Sequence, residues 1–416
     1  MTTADTAFSK TELDDLLSEE AIDRPASYYR KLRDVHPVYW NSRWNGWVVT
    51  GYPEVVAGYR DHKRLSSDRF AGPFGEELRR SAEGAGSDQL LGFLSKFFVW
   101  KDQPYHTRIR ELVNRAFTPR SVEALRPRVQ ELVRHLSESF PDPDNVDFFT
   151  QFSFQVPVIV IAEYLGVPPE ARDEVRAWSE DLGAVIFVRG DDAQRMEKGE
   201  AAMNNLVEFL RPIVHERRKN PQDDLLSGMV QAEARGDFLS EDEVLANAIL
   251  MMFAGHETTM NLMANGMVAF HQFPDQWQRL YENPDLARTA VEETLRFDGP
   301  IRAMARWAAE PLELGGQQIQ ERDRVLLVQH AANRDPRGFE DPDIFDISRW
   351  PNKHAAFGQG IHTCLGAPLA RLETQEAFRH LVERYSGFEI LDEELRYNAT
   401  MISRSLTGLH LRFHTR

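Results

Sequence analysis

The chain has 416 residues, of which 42% are apolar and 27% are charged, a composition typical of a globular protein with a substantial core. Its formal net charge of −16 argues against generic binding to nucleic acid or to an anionic membrane, because both present negative surfaces. The single cysteine, Cys364, excludes an internal disulfide and fits a reducing cytoplasm. Residues 1–20 are polar and acidic, so neither a secretion signal nor a membrane anchor is predicted there.

The first part of the chain predicts a helix and a small β-unit. The helix runs from Pro25 through Arg33, and short strands follow over 38–40 and 47–50, joined by an Asn-Gly turn. Residues 71–88 are rich in glycine, serine and charge, and they predict a mobile loop.

The remaining elements predict a protein that is mainly α with small β-sheets. Residues 104–300 have helical periodicity, and no repeat or low-complexity linker divides them. Strand character returns over 311–331 and over 386–414. Helices therefore dominate, with strands predicted at the two ends of the chain.

Residues 244–270 predict one long buried helix with a polar centre. Ser240 and Glu243 fit a capping box at its start, and Pro274 lies beyond its end. Thr258 and Thr259 can bond back to carbonyls of the previous turn and bend the helix.

A buried carboxylic acid, Glu257, lies in the same polar centre. Glu257 and Thr258 could merely satisfy each other in the core. Burying an acid in mid-helix is costly, however, so we favour a functional role for the pair.

The cysteine lies in a glycine-rich loop, Phe357 to Gly366, that leads into a helical segment. Backbone N–H groups and the positive potential at a helix start favour a thiolate. Gly358 and Gly360 let the chain bend and let a flat ligand approach the backbone. A lone cysteine is otherwise most often a small buried hydrophobe.

Three other interpretations of these motifs fail or are weak. The loop lacks the third glycine of a dinucleotide fingerprint, where Thr363 stands. A zinc-protease helix needs a second histidine where the chain has Met260. A cysteine nucleophile paired with His362 leaves the long helix unexplained.

Together, the cysteine loop, the interrupted helix and the sequence from Glu293 to Arg296 resemble the cytochrome P450 family, specifically its soluble bacterial haem-thiolate monooxygenases. The signature Phe-x-x-Gly-x-x-x-Cys-x-Gly is met by Phe357, Gly360, Cys364 and Gly366. The resemblance covers nearly the whole chain and implies one domain over 1–416. It also implies a haem between the helix around 241–273 and the loop 357–366, and no fused reductase.

The resemblance implies roles for particular residues. Cys364 is the axial ligand of haem b (heme b, iron protoporphyrin IX), whose electron donation favours cleavage of the dioxygen O–O bond. Glu257 and Thr258 supply the protons for that cleavage. Further expected cofactor contacts are Ala254, Phe357, Gly358 and four propionate partners, His106, Arg110, Arg306 and His362. A structural ion-pair group comprises Glu293, Arg296 and Arg349.

The resemblance also implies a lipophilic substrate such as a terpenoid, steroid, macrolide or aromatic compound. Arg302 is expected either to meet a substrate carboxylate or to point to solvent. The expected substrate contacts are Phe93, Phe97, Phe98, Phe187, Phe253, Ile301, Arg302, Ala303, Met401 and Ile402.

Dioxygen and two electrons are the implied co-reactants, and a ferredoxin or flavodoxin with its own reductase is the implied electron source for a monomeric enzyme. Such carriers are acidic, so docking needs a local basic patch. The candidate cations are Arg108, Arg115, Lys353 and Arg371.

Two alternatives keep the haem, a peroxide-driven peroxygenase and a non-catalytic haem or ligand-binding protein. Glu257 and Thr258 argue against both, because neither needs a relay that protonates dioxygen.

Overall fold

The computed structural model describes residues 13–82, 87–187, 193–234 and 236–415. Helices dominate these residues, and the strands form small sheets, as predicted from the sequence. The α-helices are α1 Glu19–Asp23, α2 Pro25–Val35, α3 Tyr52–Arg60, α4 Gly72–Ala82, α5 Asp88–Leu94, α6 Tyr105–Ala116, α7 Pro119–Glu123, α8 Arg126–Glu138, α9 Gln155–Tyr164, α10 Arg172–Phe187, α11 Ala193–Lys219, α12 Leu225–Gln231, α13 Glu241–Gln272, α14 Pro274–Glu282, α15 Ala287–Asp298, α16 Gln329–Ala332 and α17 Ala367–Arg384.

The strands form one five-stranded sheet, one three-stranded sheet and two hairpins. They are β1 Val38–Asn41, β2 Gly46–Val49, β3 Leu65–Ser66, β4 Val146–Asp147, β5 Glu233–Ala234, β6 Asp237–Phe238, β7 Met304–Ala308, β8 Leu312–Leu314, β9 Gln317–Ile319, β10 Arg324–Leu327, β11 Tyr385–Ile390 and β12 His410–Thr415.

The largest sheet has the order β1-β2-β10-β7-β3. Strand β10 runs parallel to β2, and the other neighbours are antiparallel. Asn45 has a φ of 55° in the turn between β1 and β2, which confirms the Asn-Gly hairpin. The predicted early helix and both strands are also confirmed, within one or two residues at their ends.

The prediction of a mobile loop over 71–88 is wrong, because α4 occupies most of that range. Its apolar anchor is Phe74, which is buried, with the guanidinium of Arg324 5.4 Å from the ring centre. Glu77 pairs with Arg324 at 3.0 Å. These partners lie far along the chain, so local composition gave no sign of the helix. Residues 83–86 lie outside the described range.

Helix α13 confirms the prediction of a long buried helix. Its capping box is present, since the Ser240 hydroxyl accepts from the Glu243 amide and the Glu243 carboxylate accepts from the Ser240 amide. Its 32 residues correspond to about 48 Å at the usual rise. It packs against α9, α15 and α17 at the centre of the largest hydrophobic cluster.

The three-stranded sheet has the order β11-β12-β4. Strand β4 comes from the middle of the chain, so strands are not confined to its two ends as predicted. Within the described residues, no helix is both long enough and apolar enough to cross a bilayer.

Candidate active site

Cys364 follows a glycine-shaped loop and lies three residues before α17 begins. Gly358 and Gly360 have φ values of 66° and 74°, in the region that favours glycine. A Cβ atom on Gly360 would lie 2.8 Å from the carbonyl oxygen of Tyr59, so the loop packs directly on α3. The Cys364 amide donates to the carbonyl of Phe357 at 2.9 Å, and this bond closes the loop at the residue that carries the sulfur.

Two opposing influences act on the Cys364 thiol. Cys364 is exposed to solvent, but partial desolvation of its side chain by the surrounding loop raises the pKa of the thiol. The backbone N–H groups of Gly366 and Ala367 and the cations Arg110 and Arg371 act in the opposite direction on that pKa. The loop therefore supplies the donors and positive charge that a thiolate needs, and a bound metal ion would complete the stabilisation.

Helix α13 has an open face at its centre. Ala254 is exposed although Phe253 and His256 beside it are buried. The Thr258 hydroxyl, one turn later on the same face, donates to the Ala254 carbonyl at 3.1 Å. Thr259 bonds back to Gly255 in the same way at 3.3 Å. These bonds agree with the prediction that the threonines engage carbonyls of the previous turn.

Glu257 lies largely buried beside this open face. Burial raises the pKa of its carboxyl to about 7. The Thr258 hydroxyl donates to a backbone carbonyl, so the alternative in which Glu257 and Thr258 simply satisfy each other does not describe their bonding. Glu257 is thus an acid that can hold or release a proton near neutral pH.

Four cationic or imidazole side chains converge next to the cysteine loop. The ring centres of His106 and His362 are 4.1 Å apart. Arg110 donates to the Thr363 carbonyl at 2.8 Å. Burial, Arg306, His106 and Arg110, in that order, lower the pKa of His362 to about 2. Burial, then Arg110 among other cations, lowers the pKa of His106 to about 4. The four predicted propionate partners therefore share one site.

This cluster has the chemistry of an anion site. Both ring nitrogens of His106 and Nε2 of His362 are buried and have no hydrogen-bond partner among the described residues. Burial also lowers the pKa of the Arg306 guanidinium. A haem brings two carboxylates that would pair with the guanidinium groups and accept hydrogen bonds from the imidazoles. The residues present fit that group.

The predicted structural ion pair lies completely buried between α15 and the segment before the cysteine loop. Arg296 and Glu293 meet through two bonds of 2.8 and 2.7 Å. Arg349 Nε lies 3.2 Å from Glu293 Oε1. Sequence analysis missed Asn352, whose amide donates to Glu293 Oε2 at 3.0 Å. Every carboxylate oxygen thus has at least two partners, as a buried charge requires.

Comparisons with known proteins point to one family. A family model for cytochrome P450 matches residues 186–402. The biotin biosynthesis cytochrome P450 of Bacillus subtilis is 36% identical over 399 residues, which span 95% of this chain and 98% of that protein. The vitamin D(3) 25-hydroxylase of Pseudonocardia autotrophica is 38% identical over 96% of both chains.

The chain belongs to the cytochrome P450 family. The solved structure of P450BioI in complex with hexadec-9Z-enoic acid ligated acyl carrier protein superposes with a TM-score of 0.86 at 33% identity. The match covers 97% of this chain and 100% of that one. The fold is therefore that of a P450, and the protein is a haem-thiolate monooxygenase.

A cavity of about 690 Å³ lies against the flank of α13 in this P450. Glu257, Phe253 and His256 form one wall, and residues of α10 such as Gly183 form another. The loop over 398–407 contributes a third wall. Of the predicted substrate contacts, Phe253 lines this cavity.

Several other predicted contacts have different surroundings. Phe93 and Phe98 belong to the main hydrophobic core, and the ring centre of Phe98 lies 5.8 Å from that of His106. Ile301 forms an isolated bridge with Ser403. The side chains of Met401 and Ile402 pack against the core cluster beside the largest sheet. The side chain of Phe187 lies outside the described residues.

Three predicted substrate contacts need correction. Phe97, Arg302 and Ala303 have no exposed surface, so none offers a free face to a ligand. Arg302 neither meets a substrate carboxylate nor points to solvent, because its guanidinium donates to the carbonyls of Ala21 and Ile22. Sequence gives the position of such a side chain but not the direction in which it points.

The predicted docking cations also need correction. Arg108 pairs with Asp237 and Glu243, and Arg371 pairs with Glu292 at 2.6 Å, so their charges are balanced. Arg115 is half exposed and lies 3.9 Å from its nearest carboxylate. Within the described residues, Lys353 forms no ion pair.

Sequence analysis missed Arg60, which lines a shallow depression over the cysteine loop. It is exposed and forms no ion pair with any residue that the structure describes. Its Cα lies 3.5 Å from the position that a Gly360 Cβ would take. The packing of α3 on Gly360 brings this cation to the loop, and no local motif marks it.

Proposed function

We propose that this P450 uses one haem, held by Cys364, to insert an oxygen atom from dioxygen into a lipophilic molecule by hydroxylation or epoxidation. The observation that carries the proposal is the cluster of His106, Arg110, Arg306 and His362 with its unpartnered nitrogens, next to the cysteine loop. Haem, when bound, supplies the activation of dioxygen by a thiolate-ligated iron. The whole chain acts as one catalytic unit in this proposal.

The residues around the site have distinct roles. Cys364 would bind the iron, and Phe357, Gly358 and Ala254 are the other proposed contacts of the flat ring, a role supported for Ala254 by its exposure on the open face of α13. His106, Arg110, Arg306 and His362 orient the ring by binding its propionates; this role is supported by their convergence. Glu257 holds a proton at its carboxyl, and Thr258 positions water for its transfer.

A lipophilic substrate is supported by the size of the cavity beside Glu257. A volume of about 690 Å³ falls within the range of small-molecule sites. One related P450 has been solved in complex with hexadec-9Z-enoic acid ligated acyl carrier protein, and another is a vitamin D(3) 25-hydroxylase; both ligands are mostly apolar. Among the residues predicted to contact substrate, Phe253 lines this cavity, and we therefore retain that role for it.

The defining test is the spectrum of the purified protein reduced under carbon monoxide. A thiolate-type carbonyl band is expected, and its absence would contradict the proposal. Turnover should require an electron donor, for which we propose a separate ferredoxin or flavodoxin with its reductase. Equal turnover with peroxide alone would instead identify a peroxygenase. We further propose a monomer in the cytoplasm, where the thiol of Cys364 stays reduced.

The pH dependence of turnover should report on Glu257. Its pKa is raised from 4.5 to about 7, so the acid is protonated below that pH and loses its proton above it. Product formed per electron pair consumed should therefore fall as the pH rises through about 7. Glu257→Gln should lower turnover at pH 6 by about a hundredfold and remove the pH step.

Glu180→Gln is the matched control for the Glu257 variant. Glu180 lines the same cavity but is exposed. The pH step should persist in this variant, because the titrating acid Glu257 is still present. A step at pH 7 that persists in Glu257→Gln would show that another group titrates.

Docking of an acidic electron carrier should depend on Arg60, Arg115 and Lys353 rather than on the paired Arg108 and Arg371. The double variant Arg60→Glu, Lys353→Glu should slow reduction by the carrier about tenfold at low salt, because like charges then meet. Salt should shrink the difference as charges are screened. Stopped-flow reduction at several ionic strengths measures both effects.

Arg396→Glu is the control for this double variant. Arg396 is exposed, and its backbone carbonyl accepts from the amide of Thr407. Thr407 belongs to the loop that lines the cavity, so Arg396 lies near that loop. It should reduce at the unmodified rate. Equal reduction rates for the double variant and the control at low salt would overturn this docking surface.

A further inference from the structure

The loop over residues 398–407 forms one wall of the cavity beside Glu257. Backbone bonds join it to the segment after α15. The Arg302 amide donates to the Ile402 carbonyl at 2.7 Å, and the Arg404 amide donates to the Pro300 carbonyl at 2.7 Å. Asn265 of α13 donates to the Arg404 carbonyl at 3.1 Å. The position of this loop therefore determines the shape of the cavity.

Two buried guanidinium groups connect the loop with the N-terminal part of the chain. Arg302 donates from Nη1 to the Ala21 carbonyl at 3.0 Å and from Nη2 to the Ile22 carbonyl. Arg404 donates to the same Ile22 carbonyl and to that of Asp23 at 3.4 Å. We call the backbone carbonyls of residues 21–23 the carbonyl triad.

Arg302 also contacts the loop itself, since its Nη1 lies 3.4 Å from the Thr400 carbonyl. Burial and the neighbouring Arg404 lower the pKa of its guanidinium to about 10, so it remains a cation at neutral pH. Arg404 has a carboxylate partner, Asp298, at 3.2 Å. The hydrogen bonds that the Arg302 side chain makes to the described residues go to carbonyls, two on the triad and one on the loop.

A buried cation with this set of bonds ties its partners together. If the triad moves, the guanidinium of Arg302 loses most of its acceptors in a site that water does not reach, which is unfavourable. Movement of the loop has the same consequence from the other side. Thus the two segments, distant in sequence, are held as one unit.

We propose that the carbonyl triad, acting through Arg302 and Arg404, positions the loop over 398–407 and so sets the size of the molecule that the cavity admits. Arg302 and Arg404 are positioning residues in this proposal, because they do not touch the cavity. The inference rests on the proposed function in one respect, that a lipophilic substrate occupies this cavity. It makes the N-terminal segment a determinant of substrate selection.

Hydrogen exchange of the haem-loaded protein tests the coupling. Arg302→Met removes the bonds to the triad but keeps an unbranched side chain. Amides of the 398–407 peptide should then exchange about tenfold faster, the effect of losing one or more charge-assisted hydrogen bonds. The ratio of the dissociation constants for hexadecanoate and decanoate, measured by equilibrium dialysis, should shift in the same variant. Arg302→Lys keeps the positive charge but lacks the two-pronged guanidinium group. Its exchange rate and its ligand ratio should lie between those of the unmodified protein and those of Arg302→Met.

Arg33→Met is the matched control. Arg33 is also largely buried and donates to a backbone carbonyl, that of Ala331 at 3.1 Å, from helix α2. It should leave both the exchange of 398–407 and the ligand ratio unchanged. A folded Arg302→Met protein with unaltered exchange and an unaltered ratio would overturn the proposal.

The unmodified protein supplies a second test that does not depend on a variant folding. Saturation with hexadecanoate should slow exchange in the peptide over 398–407 and in the peptide over 19–24 together. Protection confined to 398–407 would overturn the coupling. The carbon monoxide spectrum is recorded separately, so failure of the haem-thiolate assignment is distinguishable from failure of this inference.

Discussion

Replacing Cys364 with serine is expected to abolish the thiolate-type carbonyl band and to reduce electron-supported turnover to background. A serine hydroxyl stays protonated at neutral pH and donates far less electron density to iron than a thiolate does. The proposed propionate partners remain in place, so some haem should still bind. Absorbance of the reduced protein under carbon monoxide, with haem content measured in parallel, separates loss of the ligand from loss of the cofactor.

Thr363→Ser is the control next to the cysteine. The Thr363 hydroxyl donates to the Gly360 carbonyl at 2.8 Å, and serine retains that bond. Both the band and the turnover should survive in this variant. A thiolate-type band in Cys364→Ser would mean that another group binds the iron, which would be hard to reconcile with the sole cysteine of the chain.

Glu293→Gln should destabilise the protein by about 3 to 5 kcal/mol, because it leaves Arg296 as a buried cation without its counter-charge. The amide also replaces one carboxylate oxygen with an NH2 group, so the donors at that position, either Arg349 and a backbone amide or Asn352, lose their acceptor. Urea unfolding followed by circular dichroism measures the loss. Haem content after expression should fall with it, since the segment from 340 to 357 leads into the cysteine loop.

The exposed pair between Glu383 and Arg379 provides the comparison. These residues also form a Glu–Arg pair within one helix, at 3.1 Å, but both are about half exposed. Glu383→Gln should cost about 0.5 kcal/mol or less, because water screens the pair. Similar losses for the two variants would show that burial of the Glu293–Arg296 pair has no special energetic weight.

Elements with local signals could be predicted from the sequence, and elements that depend on distant partners could not. Helix α13 has its capping box, its apolar run and its following proline within one segment. Helix α4 depends on Phe74 and Glu77 meeting Arg324, which no local pattern shows. For the same reason the sequence placed Arg108 among free surface charges, although Asp237 and Glu243 neutralise it.

The site followed the same division. The motif around Cys364 and the Glu257–Thr258 pair are contiguous in sequence, so their residue types and order already indicate the chemistry. Arg302 lies in a segment with no such motif, and its direction is set by carbonyls near the start of the chain. Arg60 reaches the cysteine loop because α3 packs on Gly360. Such positions are consequences of packing, and packing was not visible in the sequence.

The pairing of β12 with β4 bears on the order in which this protein is assembled during synthesis. Strand β4 emerges from the ribosome long before residues 410–415, and its edge has no β12 partner until then. The carbonyls of residues 22 and 23 likewise gain the Arg404 guanidinium as a donor only after residue 404 has been synthesised. Both connections, that between β4 and β12 and that between Arg404 and residues 22 and 23, therefore form only after residues 404–415 have been synthesised. We therefore expect stable folding of these segments to follow, rather than precede, the synthesis of residues 404–415.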